Sequence, residues 1–266
     1  MVKSWLNLEE KVVIVTGGAN GIGNHIAEGI KNCGAKVIIC DLNVKNRQKI
    51  NNIECIQCDV TKKDSVDTMV ETIYQKYGKI DALVNNAGVN KPQLIVDIYE
   101  KNPIYEIDEK SFDFTFDVNV KGVLFCTQAV VKKQLKQGKG VIINISSESG
   151  MEGSAGQSIY AATKSAVNCF TRSWAKELGI KNIRVVGVAP GIMEKTNMRT
   201  EKYNEALAYT RGIKVDEIST DYTKSIPLAR AGKLNEVADL VSYLISDRAD
   251  YITGTTINIT GGKSRG

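Results

Sequence analysis

Short β-branched runs alternate with stretches of helical spacing along almost the whole chain. "KVVIVT" at 11–16 is apolar at nearly every position, the signature of a strand covered on both faces rather than one with a wet side. "KVIICD" at 36–41, "IECIQCD" at 53–59, "IDALVNN" at 80–86, "GVIINIS" at 140–146, "IRVVGVA" at 183–189 and "TTINIT" at 255–260 repeat it. Between them the apolar spacing turns helical. A helix runs to about residue 32, and Val66, Met69, Val70 and Ile73 share one face of another over 63–77. Further helices are expected at roughly 109–136, 158–178 and 235–246. Seven strands alternating with helices predict a single-domain α/β fold, a doubly wound parallel seven-stranded sheet with helices on both faces. Two segments escape the pattern. Residues 89–110 are long for a loop, and 190–233 carry no strand signal. Residues 1–266 therefore read as one domain, with a substrate lid at about 190–233.

Composition narrows the partners. Thirty-five Lys and Arg against thirty Asp and Glu leave +5, spread without a dense basic block, which argues against nucleic acid and suits a small anion. No run approaches the ~18 apolar residues of a membrane span, and the N-terminus lacks a signal-peptide core. A cytoplasmic protein is expected, with no membrane partner. Cys55 and Cys58 form a C-x-x-C, but zinc needs about four ligands and no second pair or histidine cluster exists. They read as core thiols, and no metal is expected. His25 is the only histidine, which excludes a Ser-His-Asp hydrolase. Trp5 and Trp174 read as packing residues.

"TGGANGIG" at 16–23 follows the first strand and opens the first helix. Gly17 allows a tight turn, Gly21 close approach to a pyrophosphate, and Gly23 close helix–strand packing, while the helix start offers free N–H groups. Asn20 and Ile22 lie within the same turn. Asp41 ends the second strand, 18 residues after Gly23, where an acid can take both ribose hydroxyls of an adenosine and repel a 2′-phosphate. Leu42 follows it. This is a Rossmann-type dinucleotide site, and NAD is the expected cofactor. "SIYAATK" at 158–164 places Tyr160 and Lys164 one helical turn apart, so that a cation can favour the phenolate of a tyrosine. Ser147 stands thirteen residues earlier, just after an apolar strand.

With "NNAG" at 85–88 and Asn119 in "DVNVKG", these motifs make the chain resemble the short-chain dehydrogenase/reductase family over nearly its whole length. The resemblance implies a catalytic set of Asn119, Ser147, Tyr160 and Lys164. Tyr160 would exchange the proton, Ser147 steady the substrate oxygen, and Asn119 hold a water linking Lys164 to solvent. It also implies adenine contacts at Asp59 and Val60, a ribose contact at Asn86, Ala87 and Gly88, and a nicotinamide contact at Pro190, Gly191 and Ile192. Lys164 would reach the nicotinamide ribose. Relatives often carry a threonine five residues after that proline; here Lys195 stands there, and Thr196 follows. A homodimer or homotetramer through the helices near 109–136 and 158–178 is implied too.

A narrower resemblance, to members of the family that act on sugar phosphates, rests on "SSESGMEGSAGQSIYAATK", "VAPGIMEKTNMRT", "ALAYTRGI" and "ITGGKSRG". It implies a sugar-phosphate substrate. Lys195 and Arg199 are the expected phosphate ligands, with Arg265 as a further candidate in the tail. Glu148 and Glu152 would take polyol hydroxyls, and Lys91 would sit at the same mouth. Two readings stay open beside this one: a dehydrogenase of unphosphorylated polyols or ketones, and a dinucleotide-sensing protein without catalysis.

Overall fold

The computed structural model describes residues 5–196, 200–218 and 221–264. Strands β1 (Val12–Thr16), β2 (Lys36–Asp41), β3 (Lys49–Ile50), β4 (Ile53–Gln57), β5 (Ala82–Asn85), β6 (Gly140–Ile145), β7 (Ile183–Pro190) and β8 (Thr256–Ile259) form one sheet. Their order is β3-β4-β2-β1-β5-β6-β7-β8. All neighbours are parallel except β3, which pairs antiparallel with β4 at the edge. The expected seven parallel strands are present; β3 is the addition. Two residues carry no periodicity, so nothing in the pattern announces it.

The apolar runs are buried as their composition requires. All of β1, β6 and β7 is buried, and alternate residues feed two cores. One core lies under α1 (Gly21–Asn32) and α8 (Leu234–Ile245), around Val13, Val15, Ile26 and Val241. The other lies under α2 (Lys63–Tyr77) and α4 (Gly122–Gln137), around Ile14, Met69, Val130 and Ile142. Cys55 belongs to the first core and Cys58 to the second. The C-x-x-C thiols therefore point to opposite faces of the sheet.

The long helix expected at 109–136 is interrupted. α3 (Glu109–Phe116) and α4 are joined by a π-helical turn over Asp117–Lys121. That wider turn holds Asn119, which is completely buried. α6 (Ser158–Leu178) follows the short α5 (Ser149–Glu152). The two unpatterned segments pack on each other. Tyr209, near the end of α7 (Glu201–Thr210), donates to the Asp97 carboxylate at 2.7 Å and stacks on Tyr105 at 4.3 Å between centroids. Trp5 differs from expectation: it is 62% exposed, lying over Tyr243 rather than in a core.

Among the described residues no helix is long and apolar enough to cross a membrane.

Candidate active site

Strand order reverses between β1 and β5, and both strands end at the same edge of the sheet. Ligands in open α/β sheets lie in the crevice at such a switch point. The chain leaves β1 through Gly17, at φ +63°, where a Cβ would stand 2.7 Å from Ala87 Cα. At Gly23 a Cβ would meet Asn86 Nδ2 and Gly17 O, each at 2.4 Å. Glycine is required at both places by backbone packing. Asn86 locks the turn: its Nδ2 donates to Thr16 O at 3.1 Å and to Gly17 O at 3.0 Å. Asn20, the N-cap of α1, makes no side-chain cap bond, and the first turn holds no acid. Its N–H groups thus remain for an anion.

A cleft of about 750 Å³ opens from this turn. Gly17, Asn20, Gly21, Ile22, Gly23, Asp41, Leu42, Asp59, Val60, Asn86, Ala87, Gly88, Pro190 and Gly191 all line it, with Ser147, Tyr160 and Lys164 at one end. Asp41 accepts from Ala19 N at 3.2 Å and from Asn43 N at 3.0 Å, which holds its carboxylate at the cleft wall. Asp59 is turned to its own loop, taking Thr61 N at 2.9 Å. An elongated cleft with a donor-rich helix start and a carboxylate beyond it fits a dinucleotide. Ile192 falls outside this cleft and lines the neighbouring one, its carbonyl taken by Gly232 N at 3.0 Å.

Lys164 is 5% exposed and donates to Ile145 O at 2.8 Å. Burial pulls its ammonium down to about 8. Tyr160 lies beside it, with the ammonium 5.7 Å from the ring centroid. Burial dominates there too, pushing the phenol up to about 12 despite the Ser147 hydrogen bond that opposes the rise. Burial thus favours the neutral phenol, against the phenolate that a neighbouring Lys164 was expected to favour. Asn119 is tied to its neighbours through its side chain. Its amide donates to Val89 O at 2.9 Å and Thr163 Oγ1 at 3.0 Å, and accepts from Val89 N at 2.8 Å. Both amide hydrogens are spent on protein, which fixes the side chain in the π turn.

A second cavity of about 280 Å³ adjoins Ser147 and Tyr160. Glu148 lines it, only 8% exposed, and pairs with Lys263 at 2.5 Å. Its other oxygen, Oε2, is buried without a hydrogen-bond partner, as is Asn90 Oδ1 on the same cavity. Glu152 does not reach the cavity; it is exposed and accepts from Ser264 Oγ at 2.7 Å. Lys195 is exposed and lines neither space, whereas Thr196 lines both. Lys91 is held away by Ser111 at 2.7 Å and Asp108 at 3.5 Å. Arg199 and Arg265 lie outside the described residues. Sequence reasoning thus missed Asn90 and Lys263 as lining residues of this cavity, and left Lys195 and Thr196 side by side as candidates where Thr196 is the lining residue. The offset between Lys195 and Thr196 was visible in the sequence; the reach of Lys263, 115 positions from Glu148, was not.

A family profile described as short chain dehydrogenase matches residues 11–207. The chain is 53% identical to the sorbitol-6-phosphate 2-dehydrogenase of Klebsiella pneumoniae, with 100% of both chains covered. It is 39% identical to a 3-oxoacyl-[acyl-carrier-protein] reductase of Thermotoga maritima, over 97% of this chain and 99% of that one. Among solved structures, a 3-ketoacyl-(acyl-carrier-protein) reductase from Brucella melitensis complexed with NADH superposes with a TM-score of 0.81. The two share 30% identity, with 97% of this chain and 100% of the other covered. Ligand-free aldohexose dehydrogenase of Thermoplasma acidophilum gives 0.82, at 29% identity and 98% and 96% coverage.

Proposed function

We infer the reaction from one premise: the chain belongs to the short-chain dehydrogenase family. It is read as an NAD-dependent oxidoreductase that interconverts sorbitol 6-phosphate and fructose 6-phosphate. The observation that carries the substrate is the pair of buried, unpartnered acceptors, Glu148 Oε2 and Asn90 Oδ1, beside Ser147 and Tyr160. A buried acceptor without a donor costs about 1–3 kcal/mol, which a ligand O–H would relieve. A polyol brings hydroxyls to both sides of its reacting carbon; an acyl chain brings few. The full-length identity to a sorbitol-6-phosphate 2-dehydrogenase supports the same choice.

When bound, the nicotinamide would take the hydride from C2 of the alcohol in oxidation and return it to the carbonyl carbon in reduction. The protein supplies the rest. Ser147 donates to the substrate oxygen and holds it toward Tyr160. In reduction Tyr160, protonated in its buried setting, delivers its proton to the developing alkoxide. In oxidation Tyr160 first gives its own proton up to solvent, and the phenolate so formed takes the proton of the C2 hydroxyl. Lys164, one turn away on α6, keeps a positive charge at neutral pH and lines the cofactor cleft. Asp41 would take the adenosine ribose hydroxyls and exclude a 2′-phosphate. A cytoplasmic setting accords with a sugar-phosphate substrate and six free thiols.

Initial rates with sorbitol 6-phosphate, sorbitol, NAD and NADP test this directly. Turnover should favour the phosphorylated polyol over sorbitol, and NAD over NADP. Equal kcat/KM on sorbitol and sorbitol 6-phosphate would sink the substrate, and equal use of NADP would sink the cofactor.

A further inference from the structure

If the substrate carries a phosphate, a cation must meet it, and the second cavity offers few. Its charged lining residues are Glu148, Glu194, Arg211 and Lys263. Lys263 already neutralises Glu148. Glu194 Oε1 is engaged at the start of α8, where it accepts from Leu234 N at 2.9 Å. Arg211 remains. Its guanidinium makes no ion pair or hydrogen bond among the described residues, although its backbone N–H is bonded to Ala208 O.

Arg211 also stands on a braced support. It caps the C-terminal end of α7. Thr210, just before it, is 4% exposed and packed on Gly156 so closely that a Cβ there would lie 2.4 Å from Thr210 Oγ1. Tyr209 is tied to Asp97 on the opposite loop. Gly212, just after it, is covered by Tyr99, whose hydroxyl would stand 2.7 Å from a Cβ. Three neighbouring residues are thus packed against two other segments, while Arg211, itself exposed, lines the cavity without a carboxylate partner. An arginine left without a carboxylate at the rim of a ligand cavity is suited to a planar, multi-toothed grip on an oxyanion.

We propose that Arg211 anchors the phosphate of the substrate and so sets the preference for phosphorylated polyols. This deepens the sorbitol 6-phosphate reading and rests on it. The reacting carbon lies at Ser147 and Tyr160. C6 is four carbon–carbon bonds of ~1.5 Å away, so the phosphate belongs at the far wall of the same cavity. The proposal moves the anion site from Lys195, which lies outside both cavities, to the end of α7.

The test compares wild type, Arg211→Gln, Arg211→Lys and Lys195→Ala on sorbitol 6-phosphate and on sorbitol, with NADH binding followed by fluorescence. Arg211→Gln should raise the KM for sorbitol 6-phosphate by about tenfold or more. Its kcat should stay within about threefold of wild type, with rates on sorbitol and NADH binding unchanged. Arg211→Lys should recover part of the loss, and Lys195→Ala should match wild type. Inorganic phosphate should compete with sorbitol 6-phosphate in wild type and lose its effect in Arg211→Gln. A wild type that prefers sorbitol 6-phosphate, alongside an Arg211→Gln variant with the same KM, would overturn the anchor and leave the substrate reading standing. A wild type with no preference for the phosphorylated substrate would overturn both.

Discussion

Lys164 shows at the scale of one residue how function and stability pull apart. Its ammonium is held in the protein interior at about 8, below its ordinary 10.5. Below pH 8 both folded and unfolded chains bind the proton, and the fold bears the full penalty of a buried charge, ~3 kcal/mol. Between pH 8 and 10.5 the unfolded chain binds more protons than the folded one. Stability from this group therefore rises with pH across that window. Lys164→Met should remove turnover yet raise the melting temperature of the ligand-free protein at pH 7. Losing the Ile145 O hydrogen bond offsets part of the gain, so the rise should be about 4 °C. The difference from wild type should shrink toward pH 10. A variant that melts lower than wild type at pH 7 would show that the lysine stabilises the fold.

At the scale of elements, the sheet and its glycine turn were legible because each rests on local, repeated constraints. A strand covered on both faces must be apolar throughout, and a turn pressed against Ala87 and Asn86 must be glycine. The π turn at Asp117–Lys121 was not legible, since one extra residue in a helix barely disturbs apolar spacing over a short window. Nor was the brace between 89–110 and α7. It is built from Tyr99, Tyr105, Tyr209 and Asp97, and no local pattern links residues 112 positions apart. Arg211 was visible only as one cation among many on a mixed segment. Its distinction is its place on the wall of the second cavity, which requires the folded chain to see. The brace predicts a specific effect. Tyr209→Phe removes the donor to Asp97, which keeps the backbone N–H groups of Tyr99, Lys101 and Asn102. The loop should persist while α7 loosens, with amide exchange in Glu201–Thr210 faster by on the order of tenfold and exchange in β6 unchanged. Equal exchange in α7 would show that stacking on Tyr105 suffices.

At the scale of the whole molecule, a homodimer or homotetramer through α4 and α6 remains part of the reading. Leu135 on α4 is 44% exposed, and on α6 Phe170 stacks on Trp174 at 4.5 Å near the surface. Sedimentation equilibrium should give a mass at least twice that of one 29.1 kDa chain, and a monomer at micromolar concentration would remove the oligomer from the account. The other long-range feature is the contact of Lys263 with Glu148 and of Ser264 with Glu152. Lys263 closes one wall of the second cavity from 115 positions away, so a peptide tag inserted beside it would alter that cavity as well as the surface of the chain.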